Sequence, residues 1–235
     1  MLCIEHLTKR YGEKTAVDDL SLHILPGEIF GFIGHNGAGK STTIKSAVGI
    51  LQFDAGRITI NGRSLLDEPV ACKRDLAFIP DNPDLYDFMS GIQYLNFVAD
   101  IFSIPAAVRL ERIRRYAALF ELTDDLVQPI SAYSHGMKQK LEILAAWLHD
   151  PKLIVMDEPF VGLDPKASHL LKEMMREHCD KGGAIFFSTH VLEVAEKLCD
   201  KIAIIKRGRL IRTGTMEEVK GDDSLEEVFL ELEAE

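Results

Sequence analysis

Residues 34–41 read Gly-His-Asn-Gly-Ala-Gly-Lys-Ser and satisfy the pattern G-x-x-x-x-G-K-[ST] in full. Gly34, Gly37 and Gly39 let the backbone curl, so that successive N–H groups at His35, Asn36 and Ala38 can face phosphate oxygens. A helix starting near Gly39 would aim its positive end at the same anion. Lys40 supplies a cation for the β- and γ-phosphates, and the Ser41 hydroxyl supplies a ligand for Mg²⁺. Thr42, next along, is counted with the nucleotide-binding set. A second constellation is Leu153-Ile-Val-Met-Asp157-Glu158-Pro, an apolar strand that ends in two acids. In a parallel sheet such a strand delivers its carboxylates to the edge where ligands bind. Asp157 is placed to hold Mg²⁺ and Glu158 to polarise an attacking water. By themselves these two motifs fit a nucleoside triphosphatase or a kinase.

The elements that must position them are visible in the hydrophobic pattern. Short β-like runs cover Leu2–Leu7, Ala16–Ile24, Glu28–Ile33 and Arg57–Ile60, punctuated by Tyr11-Gly12, Pro26-Gly27 and Asn61-Gly62. The Glu28–Ile33 strand leads directly into the glycine loop. Beyond it, Ile44, Ala47, Val48 and Leu51 recur at helical spacing. Another strand, Asp75–Pro80, ends in Pro-Asp-Asn-Pro. From Ser90 to His149 the pattern is helical throughout. It then returns to alternation, with strands Leu153–Asp157, Ala184–Ser188 and Lys201–Ile205 between helices near Ala167–Cys179 and Leu192–Cys199. In the tail, Leu225, Val228, Phe229 and Leu232 share one helical face and are expected to dock.

Three further motifs narrow the reading: Tyr133-Ser134-His135-Gly136-Met137-Lys138-Gln139, Gly162-Leu163-Asp164, and Ser188-Thr189-His190. In this order around Asp157, the set resembles the nucleotide-binding domains of ABC transporters, over essentially the whole chain. The resemblance implies an α/β fold of the P-loop NTPase class. It has a RecA-like core with a mainly parallel sheet, an antiparallel β flank and an inserted α-helical subdomain. The expected division is 1–89 and 150–220 for core and flank, 90–149 for the helical subdomain, and 221–235 for an acidic C-terminal helix. ATP and Mg²⁺ are the implied cofactors. The implied assembly is a dimer, homodimeric or pseudo-symmetric with another ATPase subunit, in which two ATP molecules lie head to tail beneath integral membrane permease subunits.

By the same resemblance, Tyr11 corresponds to the aromatic that stacks on adenine. Ser134 and Gly136 correspond to signature residues that meet the partner's γ-phosphate. Asp164 corresponds to an acid linking the two sites, and His190 to a switch histidine beside the γ-phosphate. Two departures stand out. The usual signature L-S-G-G-Q is replaced by Tyr-Ser-His-Gly-Met, and the glutamine expected after the third core strand is Asp81, an oxygen ligand for Mg²⁺ without an amide donor. The run Pro80–Tyr86, the signature and the tail Leu225–Leu232 resemble the branch serving bacterial ABC-2-type exporters. Leu85, Tyr86, Phe88 and Met89 are expected to floor the socket that receives the membrane subunit. The readings set against it are an import motor and a soluble ABC ATPase outside transport.

Composition sets the outer limits. The chain has 235 residues, 46% apolar and 27% charged, enough for one substantial core. No run reaches the roughly 18 apolar residues of a membrane span, and the start lacks the layout of a secretion signal. A cytoplasmic protein, peripheral to the membrane through its permease partner, is therefore expected. Lys and Arg number 27 against 37 Asp and Glu, a net charge of −10 that disfavours nucleic acid as a partner. Cys3, Cys72, Cys179 and Cys199 are scattered without a C-x-x-C pair and are expected to be reduced thiols.

Overall fold

The computed structural model describes residues 1–234. A four-stranded antiparallel sheet is built from β1 (Leu2–Tyr11), β2 (Lys14–Ile24), β4 (Ala55–Ile60) and β5 (Arg63–Ser64), in the order β2-β1-β4-β5. A six-stranded sheet takes β3 (Ile29–Ile33), β6 (Leu76–Ile79), β7 (Leu153–Asp157), β8 (Ala184–Thr189), β9 (Lys201–Lys206) and β10 (Arg209–Thr215). Its order is β10-β9-β3-β8-β7-β6, parallel except for the antiparallel edge strand β10.

The continuous apolar runs of the parallel strands follow from burial on both faces. Side chains alternate across a strand, and the two cores divide accordingly. Phe30, Phe32, Leu153, Val155, Phe186 and Ile205 face the antiparallel sheet and α1 (Lys40–Ala47). Ile29, Ile154, Met156, Ile185, Phe187 and Ile204 face the remaining helices. The glycine loop and the Asp157-Glu158 pair therefore leave β3 and β7 at the same edge of the sheet, with β8 between them.

The short helix α2 (Pro69–Arg74) precedes β6. Between β6 and β7 the chain forms α3 (Gly91–Ile101), α4 (Ala106–Leu119) and α5 (His135–Leu148). Ser90 caps α3 in a capping box with Gln93, which closes two otherwise unsatisfied N–H groups. α6 (Pro165–Asp180) and α7 (Leu192–Leu198) pack on the parallel sheet. The chain ends in α8 (Met216–Lys220) and α9 (Leu225–Ala234). Leu225, Val228 and Phe229 are buried as the sequence pattern required. The tail helix starts later than position 221, because Gly221 turns the chain at φ 61 and Ser224 accepts from the Glu227 amide at 3.2 Å. Glu235 lies outside the described residues.

Three strands differ from expectation, one of them the two-residue β5, which is too short to carry a pattern. β1 continues to Tyr11 because its pairing with β2 runs to Tyr11↔Lys14, across a turn with Gly12 at φ 58. β10 was not foreshadowed: as an edge strand carrying Arg209, Arg212 and Thr213 it has no apolar run to reveal it. The four cysteines are free thiols.

Candidate active site

β3 feeds the glycine loop and α1 leaves it. Gly37 lies at φ 81 and Gly39 at φ 112, conformations that favour glycine. Crowding gives a second reason: a Cβ on Gly39 would lie 2.6 Å from the Ala16 carbonyl, and one on Gly34 2.5 Å from that of Ile205. Lys40 is only 6% exposed. Its Nζ donates to the Gly34 carbonyl at 2.6 Å and to the His35 carbonyl at 3.4 Å, so the lysine is folded back over its own loop.

β7 delivers the acids opposite. Asp157 is buried and accepts from the Ser188 hydroxyl, its register partner on β8. The same hydroxyl accepts from the Glu158 amide at 3.1 Å. Glu158 adopts φ 49, a left-handed conformation costing roughly 1–2 kcal/mol for a residue with a Cβ. That turn aims its carboxylate back across the strand ends. Oε1 lies 3.6 Å from Lys40 Nζ, and Oε2 lies 2.9 Å from His190 Nδ1. Glu158 Oε1 is buried without a hydrogen-bond partner, an acceptor oriented toward incoming chemistry.

A cavity of about 520 Å³ opens over these groups, within the size range of small-ligand sites. His35, Asn36, Gly37, Gly39, Lys40, Ser41 and Thr42 bound it on one side, Asp81, Asp157 and Glu158 on another, and Tyr11 at its end. Gly34 and Ala38 support the loop from behind rather than lining the cavity, and His190 reaches it through Glu158. Tyr11 is 51% exposed, with the Lys9 ammonium 5.4 Å from its ring centre. Asp81 has its carboxyl held above the usual range, by burial first and then by the charges of Asp157 and Glu158.

The oxygen donors Ser41, Asp81 and Asp157 border this basin together. Among the described residues no three or more His, Cys, Asp or Glu form a metal cage. Both facts fit Mg²⁺, which keeps waters and relies on one or two carboxylates plus substrate phosphates.

Ser134, Gly136 and Asp164 do not line the cavity. Ser134 caps α5 by accepting from the Met137 amide at 3.3 Å. A Cβ on Gly136 would meet the Gly162 carbonyl at 2.8 Å, and one on Gly162 would strike the His135 ring. His135 thus packs against the glycine of the following loop, filling space where the usual signature has no side chain. Asp164 caps α6 through the Ala167 amide at 2.8 Å. It also meets Lys140 at 2.7 Å, and these bonds hold its carboxyl below the usual range. The helix start at Ser134 and the acid at Asp164 are therefore one surface, separate from the phosphate loop of the same chain.

Residues 17–161 match the family described as ABC transporter. The chain belongs to that family. It is 33% identical over 240 residues to the ABC-type transporter ATP-binding protein EcsA of Bacillus subtilis, covering 100% of this chain and 97% of that one. It is 35% identical to the Nod factor export ATP-binding protein I of Ralstonia nicotianae, covering 93% of this chain and 68% of that protein. A solved ATP-binding subunit of an ABC transporter superposes with a TM-score of 0.95 at 36% identity, covering 99% of both chains. The fold is thus the P-loop NTPase fold, and the protein is an ATP-binding and ATP-hydrolysing subunit of this transporter family.

Sequence reasoning did not assign Lys14, Thr15, Ala16 and Arg207 to this ABC ATPase's cavity, yet they line it. The first three were detectable in principle, since Lys14 sits opposite Tyr11 across the hairpin. Arg207, at φ 50, stands in the β9–β10 turn, whose Arg207-Gly208 pair is a hairpin signal. Of the four apolar residues near Pro80–Tyr86, Leu85 and Met89 pack inward, whereas Phe88 is 80% exposed and stands beside Tyr86.

Proposed function

We propose that this subunit is the motor of an exporter, in which ATP draws two ATPase subunits together and hydrolysis lets them part. The observation that carries the reading is the Lys40–Glu158–His190 chain, with separations of 3.6 and 2.9 Å at the mouth of the glycine loop. The β- and γ-phosphates would take Lys40 from Glu158. Glu158 Oε1 then accepts a hydrogen bond from a water aimed at the γ-phosphorus. As that water's oxygen bonds to phosphorus, the bond from phosphorus to the bridging oxygen breaks. The electron pair leaves with ADP, and the water's proton passes toward the carboxylate. His190 holds the other carboxylate oxygen and fixes its aim. Ser41, Asp157 and Asp81 would hold Mg²⁺, which neutralises phosphate charge, and Tyr11 would stack on the base.

Dimerisation is supported by what one chain keeps apart: the Ser134–Gly136 helix start does not line its own chain's cavity, and a second subunit would offer it there. In the simplest case that subunit is a second copy, with Asp164 at the junction. Membrane partners are supported by the exposed Tyr86–Phe88 pair beside the helical insert, and among described residues no helix is long and apolar enough to cross a membrane. Export is favoured by the likeness to the Nod factor export protein. Mixing Lys40→Ala with Ser134→Arg subunits tests the composite site. Each alone should be inactive, and the mixture should regain ATPase activity through one intact interface. A mixture that stays as inactive as its components contradicts the arrangement.

A further inference from the structure

We propose that the tail helix α9 positions the phosphate loop, with Phe229 as the residue that transmits its grip. This rests on reading residues 34–41 as the nucleotide cradle. The His35 carbonyl is turned inward, accepting from the Ala38 amide at 3.1 Å and from Lys40 Nζ at 3.4 Å. Its imidazole is turned outward and meets the Phe229 ring edge-on, with centres 4.9 Å apart and planes at 62°. Phe229 is 6% exposed and sits on the buried face of α9, beside Val228 and Leu225. That face packs on α7 and α8, so the ring has a firm backing.

A second tie runs beside the first. Lys206, the last residue of β9, donates from Nζ to the Leu232 carbonyl at 2.9 Å, holding the end of α9. Two residues on, the Gly208 amide donates to the Ala38 carbonyl at 2.8 Å, gripping the same loop from the strand side. The loop is therefore enclosed between the β9–β10 turn and α9, and one residue carries both the inward carbonyl and the outward ring. A preformed loop spends less of its phosphate-binding energy on ordering. Loosening its outer wall weakens nucleotide binding before it affects the bond-breaking step, because Glu158 and His190 follow the ends of other strands, β7 and β8.

The test uses the full chain, measuring ATP dissociation constant, KM and kcat for Phe229→Ala, Phe229→Tyr and His35→Ala. Phe229→Ala should raise KM and the dissociation constant about two- to tenfold, the range a ring–ring contact supports, with kcat within about twofold. Phe229→Tyr should restore wild-type values, and Phe229→Ala should add little in a His35→Ala background. If Phe229→Ala does not fold, His35→Ala alone must still show the rise in KM. An unchanged KM in a folded Phe229→Ala subunit, or a loss confined to kcat, overturns the proposal. Lys40→Ala is run alongside. If it binds ATP normally, the cradle reading itself has failed, which is a different result from a silent Phe229.

Discussion

Glu142 lies in the middle of α5, and Tyr94 of α3 bonds to its Oε2 at 3.2 Å. Burial pushes its pKa up from 4.5 to about 7, against a smaller downward pull from the Tyr94 hydroxyl. A carboxyl whose folded pKa is raised binds more protons in the native state than in the unfolded one. Stability is therefore lost as pH rises from about 4.5 to about 7, and the loss is complete above that window. Glu142→Gln removes the ionisation and keeps an oxygen acceptor for Tyr94. At about pH 8 the variant should be more stable by about 3 kcal/mol, taking a shift of some 2.5 units at about 1.4 kcal/mol each. At about pH 5.5 the gain should fall to about 1 kcal/mol, since only the first part of the window has been crossed. For a chain of this size about 3 kcal/mol corresponds to a rise in Tm of roughly 6–12 °C. Thermal melts of both proteins across this pH range give the comparison. A gain that is flat with pH, or a variant destabilised at about pH 8, refutes the assignment of a costly buried charge at Glu142.

Three further outcomes are expected. Tyr11→Ala should weaken ATP and GTP alike, by about 1–3 kcal/mol on the scale of base–aromatic stacking; calorimetry with both nucleotides checks this, and an unchanged ATP affinity removes Tyr11 from the site. Asp81→Asn should raise Tm without nucleotide at neutral pH, because the raised carboxyl pKa means that ionising Asp81 costs stability as pH rises. That gain should vanish in acid, where Asp81 is protonated; melts at both pH values read it. Phe88→Asp should leave ATPase activity near wild type and abolish co-purification with the membrane partner, since Phe88 is 80% exposed and does not support the core. Normal co-purification would move the docking surface elsewhere.

The parts of this molecule that were legible in its sequence are those where one local pattern carries one physical demand. β3, β7 and β8 are buried on both faces, so their apolar runs declared themselves. The glycine loop was readable because its conformation and close approaches exclude most other residues. Glu158 and His190 were readable only as motifs. Their 2.9 Å contact depends on the parallel β7–β8 pairing and on the left-handed turn at Glu158, and no short-range pattern encodes that turn. The edge strand β10 stayed hidden because it is largely polar. Phe88 could not be told from a core residue by type alone, since its neighbours Leu85 and Met89 do face inward. The contact of Phe229 with His35 joins residues at opposite ends of the chain, and the amphipathic face of α9 revealed that the helix docks without revealing where.

Hydrolysis depends most heavily on Glu158 as the group that activates water, and Glu158→Gln tests that role directly. The amide keeps the shape and a contact to His190 but is a far weaker proton acceptor. Two quantities are needed from the same sample: steady-state ATP hydrolysis, and sedimentation with and without MgATP. If Glu158 has that role, Glu158→Gln binds MgATP, hydrolyses it at a small fraction of the wild-type rate, and sediments as a dimer only when ATP is present. A Glu158→Gln subunit that hydrolyses ATP at the wild-type rate, or that remains monomeric with saturating MgATP, contradicts it.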